Sequence, residues 1–261
     1  MKLKNKFKES IFFDTFNSIK KDKKILSYVI LIDVLFFVGL WIFGLIFNSF
    51  ILTPASVGQV YYLLALVIIY YLGLLFIYSF FKYIILSFIK SVFSKNKLDF
   101  GRLGKFFLLN LVNFLILFFS FFILSLLAAS VKEGIAPFIA IVILLAFFVF
   151  AYACVNISQV LFYEGKSLGN SLQMAAKNLG KVNKYYGVFL IILSALAVIA
   201  LFFGTFGAVL KNTLFQDYNS LLRYGDIYTI IFVHSVGIIF YIAILFNRFY
   251  FYNIVKKKFL K

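Results

Sequence analysis

The spacing of charged residues divides this chain into long apolar stretches. Residues 34–81 carry no Asp, Glu, Lys or Arg over 48 positions, and four shorter charge-free stretches cover 106–131, 134–163, 185–210 and 227–247. A helix needs about 20 apolar residues to cross roughly 30 Å of hydrocarbon, and a charge at mid-depth is opposed by about 2.5–3.5 kcal/mol on insertion scales. Each shorter stretch is sized for one crossing, with the longer helices free to tilt. The 48-residue stretch is sized for two, with NSFILTPASVGQ at 48–59, containing Pro54 and Gly58, as the turn between them. The pattern therefore predicts six spans, at 25–47, 60–89, 106–130, 135–163, 185–209 and 227–252. Their runs lack the alternation of a membrane β-barrel, and lipid excludes unpaired backbone groups, so the spans are expected to be helices.

Between and before the spans the pattern changes to amphipathic. In NKFKESIFFDTFNSIKK, 5–21, Phe7, Ile11, Phe12, Phe16 and Ile19 fall along one helical stripe among lysines, as in a helix lying on a lipid surface. KSLGNSLQMAAKNLGK, 166–181, repeats the idea with Leu168, Leu172, Ala175, Ala176 and Leu179, and Gly180 is placed to cap its C-terminus. The shorter LDFGRLGKFF, 98–107, reads the same way. Leu-Gly-Lys recurs just ahead of a span at 103–105 and 179–181, a short match that would fit an internal duplication. The expected fold is all-α, a polytopic integral membrane protein with six transmembrane helices and short amphipathic interfacial helices on the cytoplasmic side. An N-terminal segment, 1–24, precedes the 25–255 membrane domain, and a basic tail, 256–261, follows it. The first apolar run, with no small-residue cleavage signal behind it, reads as a signal anchor.

Charge fixes the expected orientation. The segments before span 1, between spans 2 and 3, between spans 4 and 5, and from Arg248 onward hold 23 of the 26 Lys and Arg residues, and the alternate loops hold only Lys132, Lys211 and Arg223. The positive-inside rule then places both termini in the cytoplasm of a cell membrane. Composition agrees, because a 261-residue chain that is 64% hydrophobic and 13% charged has more apolar surface than one soluble domain buries. Attraction of this basic face to anionic lipid, about 1 kcal/mol per lysine near the surface, stands beside the plainer reading that these are ordinary insertion flanks. Nucleic acid is not an expected partner, since the charge is spread over four segments without a reader module. One cysteine, Cys154, excludes an intrachain disulfide, and no Cys/His cluster suggests a metal. The largest outer element, KNTLFQDYNSLLRYGD at 211–226, has room for a small helix or lid.

An acidic residue just after a span, a small interfacial helix and then the next span appear in order in LFYEGKSLGNSLQMAAKNLGKVNKYYGVFLII, 161–192. This arrangement resembles the broad group of six-helix prokaryotic membrane proteins that includes the membrane domain of some glycerophosphodiester phosphodiesterases. The resemblance implies a six-span plan with basic cytoplasmic linkers. The phosphodiesterase domain has no counterpart in these 261 residues, so no activity is carried over.

Candidate chemistry concentrates at one depth. Asp33 is nine residues beyond Lys24, Lys82 eight before Lys90, and Arg248 eight before Lys256, which places each about 12–13 Å along its helix from the cytoplasmic end. The same count reaches Asn113 from Lys105 and Asn156 from Glu164. Asp33, Lys82, Asn113, Asn156 and Arg248 therefore form an expected intramembrane polar layer. It serves either as a salt bridge with amide bonds that fixes helix packing or as a binding site in which Asp33 takes a cation or proton and the basic pair an anion. Lys82 and Arg248 also have the reach to snorkel to the headgroups. His234 is 14 residues, roughly 21 Å, from Arg248 on its helix and belongs elsewhere. Gly39, Gly44, Gly73 and Gly204 are expected at close helix contacts, and Tyr61, Tyr62 and Tyr83 as interfacial anchors.

No phosphate-binding loop, zinc-protease helix or serine-nucleophile turn occurs. The expected function is that of a non-enzymatic scaffold or accessory component without cofactor, whose basic face contacts anionic lipid or a protein partner. The alternative is a small-solute or ion permease built on Asp33, Lys82 and Arg248.

Overall fold

A computed structural model describes residues 11–50, 57–94, 98–129, 136–182, 198, 201–202, 204–205 and 218–260. Every regular element among the described residues is helical: α1 (Ile11–Lys21), α2 (Lys23–Asn48), α3 (Val57–Phe93), α4 (Leu103–Ala129), α5 (Ala136–Tyr163), α6 (Leu168–Lys177) and α7 (Tyr218–Phe259). Five described stretches are long and apolar enough to cross a membrane: Lys23–Asn48, Gly58–Phe93, Phe100–Leu127, Ala146–Tyr163 and Gly237–Phe259. They correspond to the expected spans 1 to 4 and 6. The expected span at 185–209 lies outside the described residues apart from 198, 201–202 and 204–205. The chain divides into two compact units, Met1–Gly180 with Val255–Lys261, and Lys181–Ile254.

Within the first unit, α2 and α3 run antiparallel along an aromatic seam, with Tyr28 against Phe88, Phe36 against Phe81 and Phe43 stacked on Tyr70 at centroid distances of 5.5, 5.7 and 5.6 Å. Gly73 admits the Phe43 ring, which a Cβ at that position would overlap. Gly39 makes ordinary contact with Phe81, whereas Gly44 and Gly204 face open space, so close packing accounts for only part of the glycine set. α4 returns antiparallel to α3, and α5 antiparallel to α4, with Phe106 against Phe162 and Phe121 against Phe147. α3 and α5 are consequently parallel.

The core of this unit occupies only half of each helix. Among the described side chains, none after Asp33 in α2, none after Asn113 in α4, none before Ser79 in α3 and none before Ala153 in α5 is buried. The buried half is the end flanked by Lys24, Lys90, Lys105 and Lys166. The other half exposes large apolar side chains such as Phe37, Trp41 (66% exposed), Tyr61, Phe119 and Phe148. Soluble monomers rarely expose contiguous apolar surface on that scale, whereas lipid tails cover it without penalty.

Joints at the lysine-flanked end are capped. After α5, Gly165 takes φ +105° while its N–H reaches the Phe162 carbonyl and the Lys166 N–H reaches the Leu161 carbonyl, the paired bonds of a Schellman ending. Ser167 then caps α6, its side chain accepting from the Asn170 N–H. α6 stops at Asn178, whose backbone N–H and Nδ2 both bond the Met174 carbonyl, so Asn178 and not Gly180 ends it; Gly180 lies in a 3-10 turn, Leu179–Val182. Its buried positions are Ser171, Ala175 and Asn178, small or polar residues one turn apart, while Leu168, Leu172 and Leu179 are half exposed. The stretch at 98–107 forms no separate helix. Asp99 accepts from the Gly101 N–H at 2.8 Å and starts a 3-10 turn, Phe100–Arg102, that runs directly into α4. The two Leu-Gly-Lys triplets thus fold differently, one as the first turn of α4 and the other in the 3-10 turn after α6.

In α1, Thr15 is buried, Ile11, Asp14, Ser18 and Ile19 on the same side are half-buried, and Phe12, Phe13 and Phe16 are exposed. The foreseen stripe is thereby divided between two faces, and Phe7 lies outside the described residues. In the second unit α7 is continuous from Tyr218, so residues 218–226 extend the last helix instead of forming a separate lid; 211–217 lie outside the described residues.

Candidate functional site

Three helices of the first unit carry polar residues three positions apart: Ser79 and Lys82 on α3, Asn110 and Asn113 on α4, Asn156 and Gln159 on α5. Residues at i and i+3 share a helical face, and packing turns these faces together. Asn110 Nδ2 donates to Ser79 Oγ at 2.9 Å, and Ser79 Oγ donates in turn to the Leu75 carbonyl at 2.7 Å. Gln159 Nε2 donates to Asn110 Oδ1 at 2.8 Å and to the Tyr78 hydroxyl at 3.0 Å. Beside this group, Asn113 Nδ2 donates to Ser158 Oγ at 3.0 Å, and Ser158 Oγ to the Val155 carbonyl. Lys82 Nζ donates to Asn156 Oδ1 at 3.0 Å, while Asn156 Nδ2 bonds the Tyr152 carbonyl one turn back.

Lys82 penetrates further than a count along the backbone indicates. Tyr83 and Tyr163 face one another at 5.0 Å, which makes the Lys82 backbone level with Phe162. Its ammonium nevertheless bonds Asn156, six residues and about 9 Å further from the lysine-flanked end. Helical side chains lean toward their own N-terminus, and for α3 that direction leads away from Lys90. Lys82 therefore reaches inward instead of snorkelling to that end.

Asp33 is 3% exposed, on the α2 face that also buries Ile25, Val29 and Ile32. The Tyr28–Phe88 and Phe36–Phe81 contacts bracket it, so its backbone lies level with residues 83–84 of α3, about 3 Å along the axis from Lys82. Asp33 is not without a partner. Arg248 is half-buried on α7 in the second unit and likewise has an interaction. The structure thus brings together Lys82 and Asn156 directly, and Asn113 through Ser158, two residues from Asn156. Asp33 is placed at the level of Lys82. Sequence reasoning missed Tyr78, Ser79, Asn110, Ser158 and Gln159, although the three i, i+3 polar pairs on facing helices were a visible signal. Gln159 is fully buried, and its Oε1 has no hydrogen-bond partner among the described residues.

Below this layer, ionic and aromatic contacts tie the helix ends. Lys90 pairs with Glu164 at 3.1 Å and lies over the Tyr163 ring, and Arg102 donates to the Lys166 carbonyl at 3.0 Å while stacking 4.3 Å over Phe162. Tyr83 is buried and donates to the Asp99 carbonyl at 2.6 Å; it braces the joint between α3 and α4, in contrast to the exposed Tyr61 and Tyr62. Lys256 donates to the Phe93 carbonyl at 3.2 Å, and Lys257 pairs with Asp14 at 2.7 Å, fastening the chain's last turn to α3 and α1. His234 is exposed and sits on the same continuous helix as Arg248, 14 residues away, which keeps it about 21 Å from that side chain's level. Among the described residues no three His, Cys, Asp or Glu side chains gather as metal ligands.

The chain matches no protein-family model, no curated protein and no solved structure.

Proposed function

We propose that this chain is a non-enzymatic, multi-pass protein of the cell membrane, with six spans and both termini in the cytoplasm, that acts as a scaffold or accessory component. Its basic cytoplasmic face, with short amphipathic interfacial helices, contacts anionic lipid or a protein partner. The observation that supports this reading is the bonding of the polar layer between helices: the amides of α4 and α5 bond Ser79, Ser158, Tyr78 and Lys82. Directional bonds of that kind specify how helices pack where apolar surfaces cannot. A basic surface distributed over four segments suits contact with an extended anionic plane better than a single bound molecule.

A permease is the second reading, and one observation favours it. The layer lies where the packed half of the first unit ends, and the buried Gln159 Oε1 there is an acceptor with no donor among the described residues. One experiment separates the two. Purified protein is reconstituted in liposomes and screened for flux of ions, amino acids and lipids, alongside Asp33→Asn. The scaffold reading expects no saturable flux, and a variant that loses thermal stability and monodispersity. Saturable flux that Asp33→Asn abolishes in a protein that stays folded would establish the permease.

A further inference from the structure

We infer that the exposed face of α1, with Phe12, Phe13 and Phe16, is a docking surface for an anionic phospholipid leaflet; the inference rests on the membrane reading above and names the element that contacts lipid. α1 has two distinct faces. Thr15 is buried, with Ile11, Ser18 and Ile19 beside it, and this side packs on α2 and α3. The other side presents three phenylalanines, of which Phe16 is 51% exposed. Water does not favour three exposed phenyl rings on one short helix, and the position of α1 supplies an alternative. A single residue, Asp22, separates it from α2, whose first turn begins with Lys23 and Lys24 and whose apolar run follows at once. The aromatic face is therefore tethered where headgroups meet acyl chains.

Charge selects the kind of lipid. Lys20 and Lys21 are exposed in the last turn of α1, next to Lys23 and Lys24. The carboxylate within α1, Asp14, is paired with Lys257 at 2.7 Å, and Asp22 offsets one of the four lysines at 20, 21, 23 and 24, so the junction of α1 and α2 keeps a positive excess toward an anionic surface. Rings seated at the acyl boundary and ammonium groups at phosphate level form the arrangement of an interfacial helix, and lysines held near the surface favour anionic over zwitterionic headgroups.

The test uses the full chain. Trp41, its one tryptophan, is changed to Phe, and Phe16→Trp is introduced as a reporter, with Phe13→Trp as a second. Each is reconstituted in mixed phosphatidylcholine and phosphatidylglycerol vesicles in which one lipid or the other carries brominated chains. The reporter emission is expected to be quenched in both arms, by about twofold more when phosphatidylglycerol is the brominated lipid. Lys20→Gln with Lys21→Gln should bring the two arms closer to equality. Equal quenching in the parent protein, or emission that bromine spares and aqueous iodide quenches, overturns the inference. The latter result would mark the face as exposed to water or covered by a protein. Either failure leaves the folding and flux outcomes at Asp33 untouched, so the scaffold reading is judged separately.

Discussion

Replacing Asn110 with Leu tests whether the polar layer holds the helices together. Asn110 is buried on α4, donates to Ser79 Oγ on α3 at 2.9 Å and accepts from Gln159 Nε2 on α5 at 2.8 Å, so one side chain joins three helices. Leu is close in volume, which limits the cavity contribution. Two interhelical bonds are lost, each about 0.6 kcal/mol on average in a membrane protein and up to about 1.7. Ser79 keeps its bond to the Leu75 carbonyl, but one Gln159 amide hydrogen is left buried without an acceptor, which adds about 1 kcal/mol or more. The expected loss is about 2 kcal/mol, a factor of roughly 30 in the folding equilibrium. Reversible unfolding in mixed micelles, followed by far-UV circular dichroism, measures it. Ser120→Ala is the control, because Ser120 is bonded only within its own helix, to the Ile116 carbonyl. The double variant Asn110→Leu with Gln159→Leu should destabilise by less than the sum of the single changes, since the second change removes the donor stranded by the first. If Asn110→Leu changes stability by less than about 0.5 kcal/mol while the control behaves as expected, the layer does not bind the helices together.

Gly165→Ala places a side chain at φ +105° and should lower stability by about 1 kcal/mol, read as a lower melting temperature with helix content unchanged. Glu164→Gln removes the partner of Lys90 from a contact that is 12–21% exposed; a loss of about 1 kcal/mol is expected, shrinking as salt is raised, and a loss independent of salt would contradict the ion pair. Gly73→Leu drives a branched side chain into the Phe43 ring and should separate α2 from α3, seen as a smaller yield of disulfide between cysteines introduced at Phe47 and Tyr70, whose rings now lie 4.7 Å apart.

The helical class, five helices long and apolar enough to cross a membrane, and the shared level of Lys82, Asn113 and Asn156 were legible because charges break the chain into helix-length apolar runs and serve as markers from which to count along each helix. Charge spacing could not reveal the half-length core. Ile68 in the exposed half and Ile89 in the buried half are chemically alike, and lipid and a neighbouring helix are equally apolar surroundings for both. Lys82 was placed by its Cα, but its flexible stem carries the charge inward, to the side chain of Asn156, whose backbone lies about 9 Å further along. Tyr83 read as an interfacial anchor because a tyrosine near a span end usually is one, yet it sits under Phe106 and Tyr163 with its hydroxyl on Asp99. In α6 the stripe of Leu168, Leu172, Ala175, Ala176 and Leu179 read as one side lying on lipid, and the structure instead turns Ala175 inward together with Ser171, where small side chains allow close approach to α5.

Where apolar surface covers all sides of a helix, overall hydrophobicity does not distinguish one register from another, so the features that do should lie where the helices touch, and they do. α2 is fitted to α3 by shape, through Gly73 and Phe43; α3, α4 and α5 are joined by amide and hydroxyl bonds; the basic-flanked ends are fixed by Gly165, Asp99 and the Lys90–Glu164 pair. The amide layer is the outermost of the tertiary hydrogen-bonded groups described in the first unit, and the buried residues stop at its level. Below it, packing and ionic contacts reinforce each other, and above it the helices present apolar side chains outward. A polar layer at such a boundary resists sliding of the packed half, because shifting α3, α4 or α5 by one turn would break bonds to two neighbours at once. That coupling also ties the layer's two possible roles together: a solute that drew Gln159 or Lys82 out of the network would have to supply equivalent bonds, or the helices would lose register. Binding there and helix register are therefore linked, and stability measurements with candidate solutes should be read together with flux.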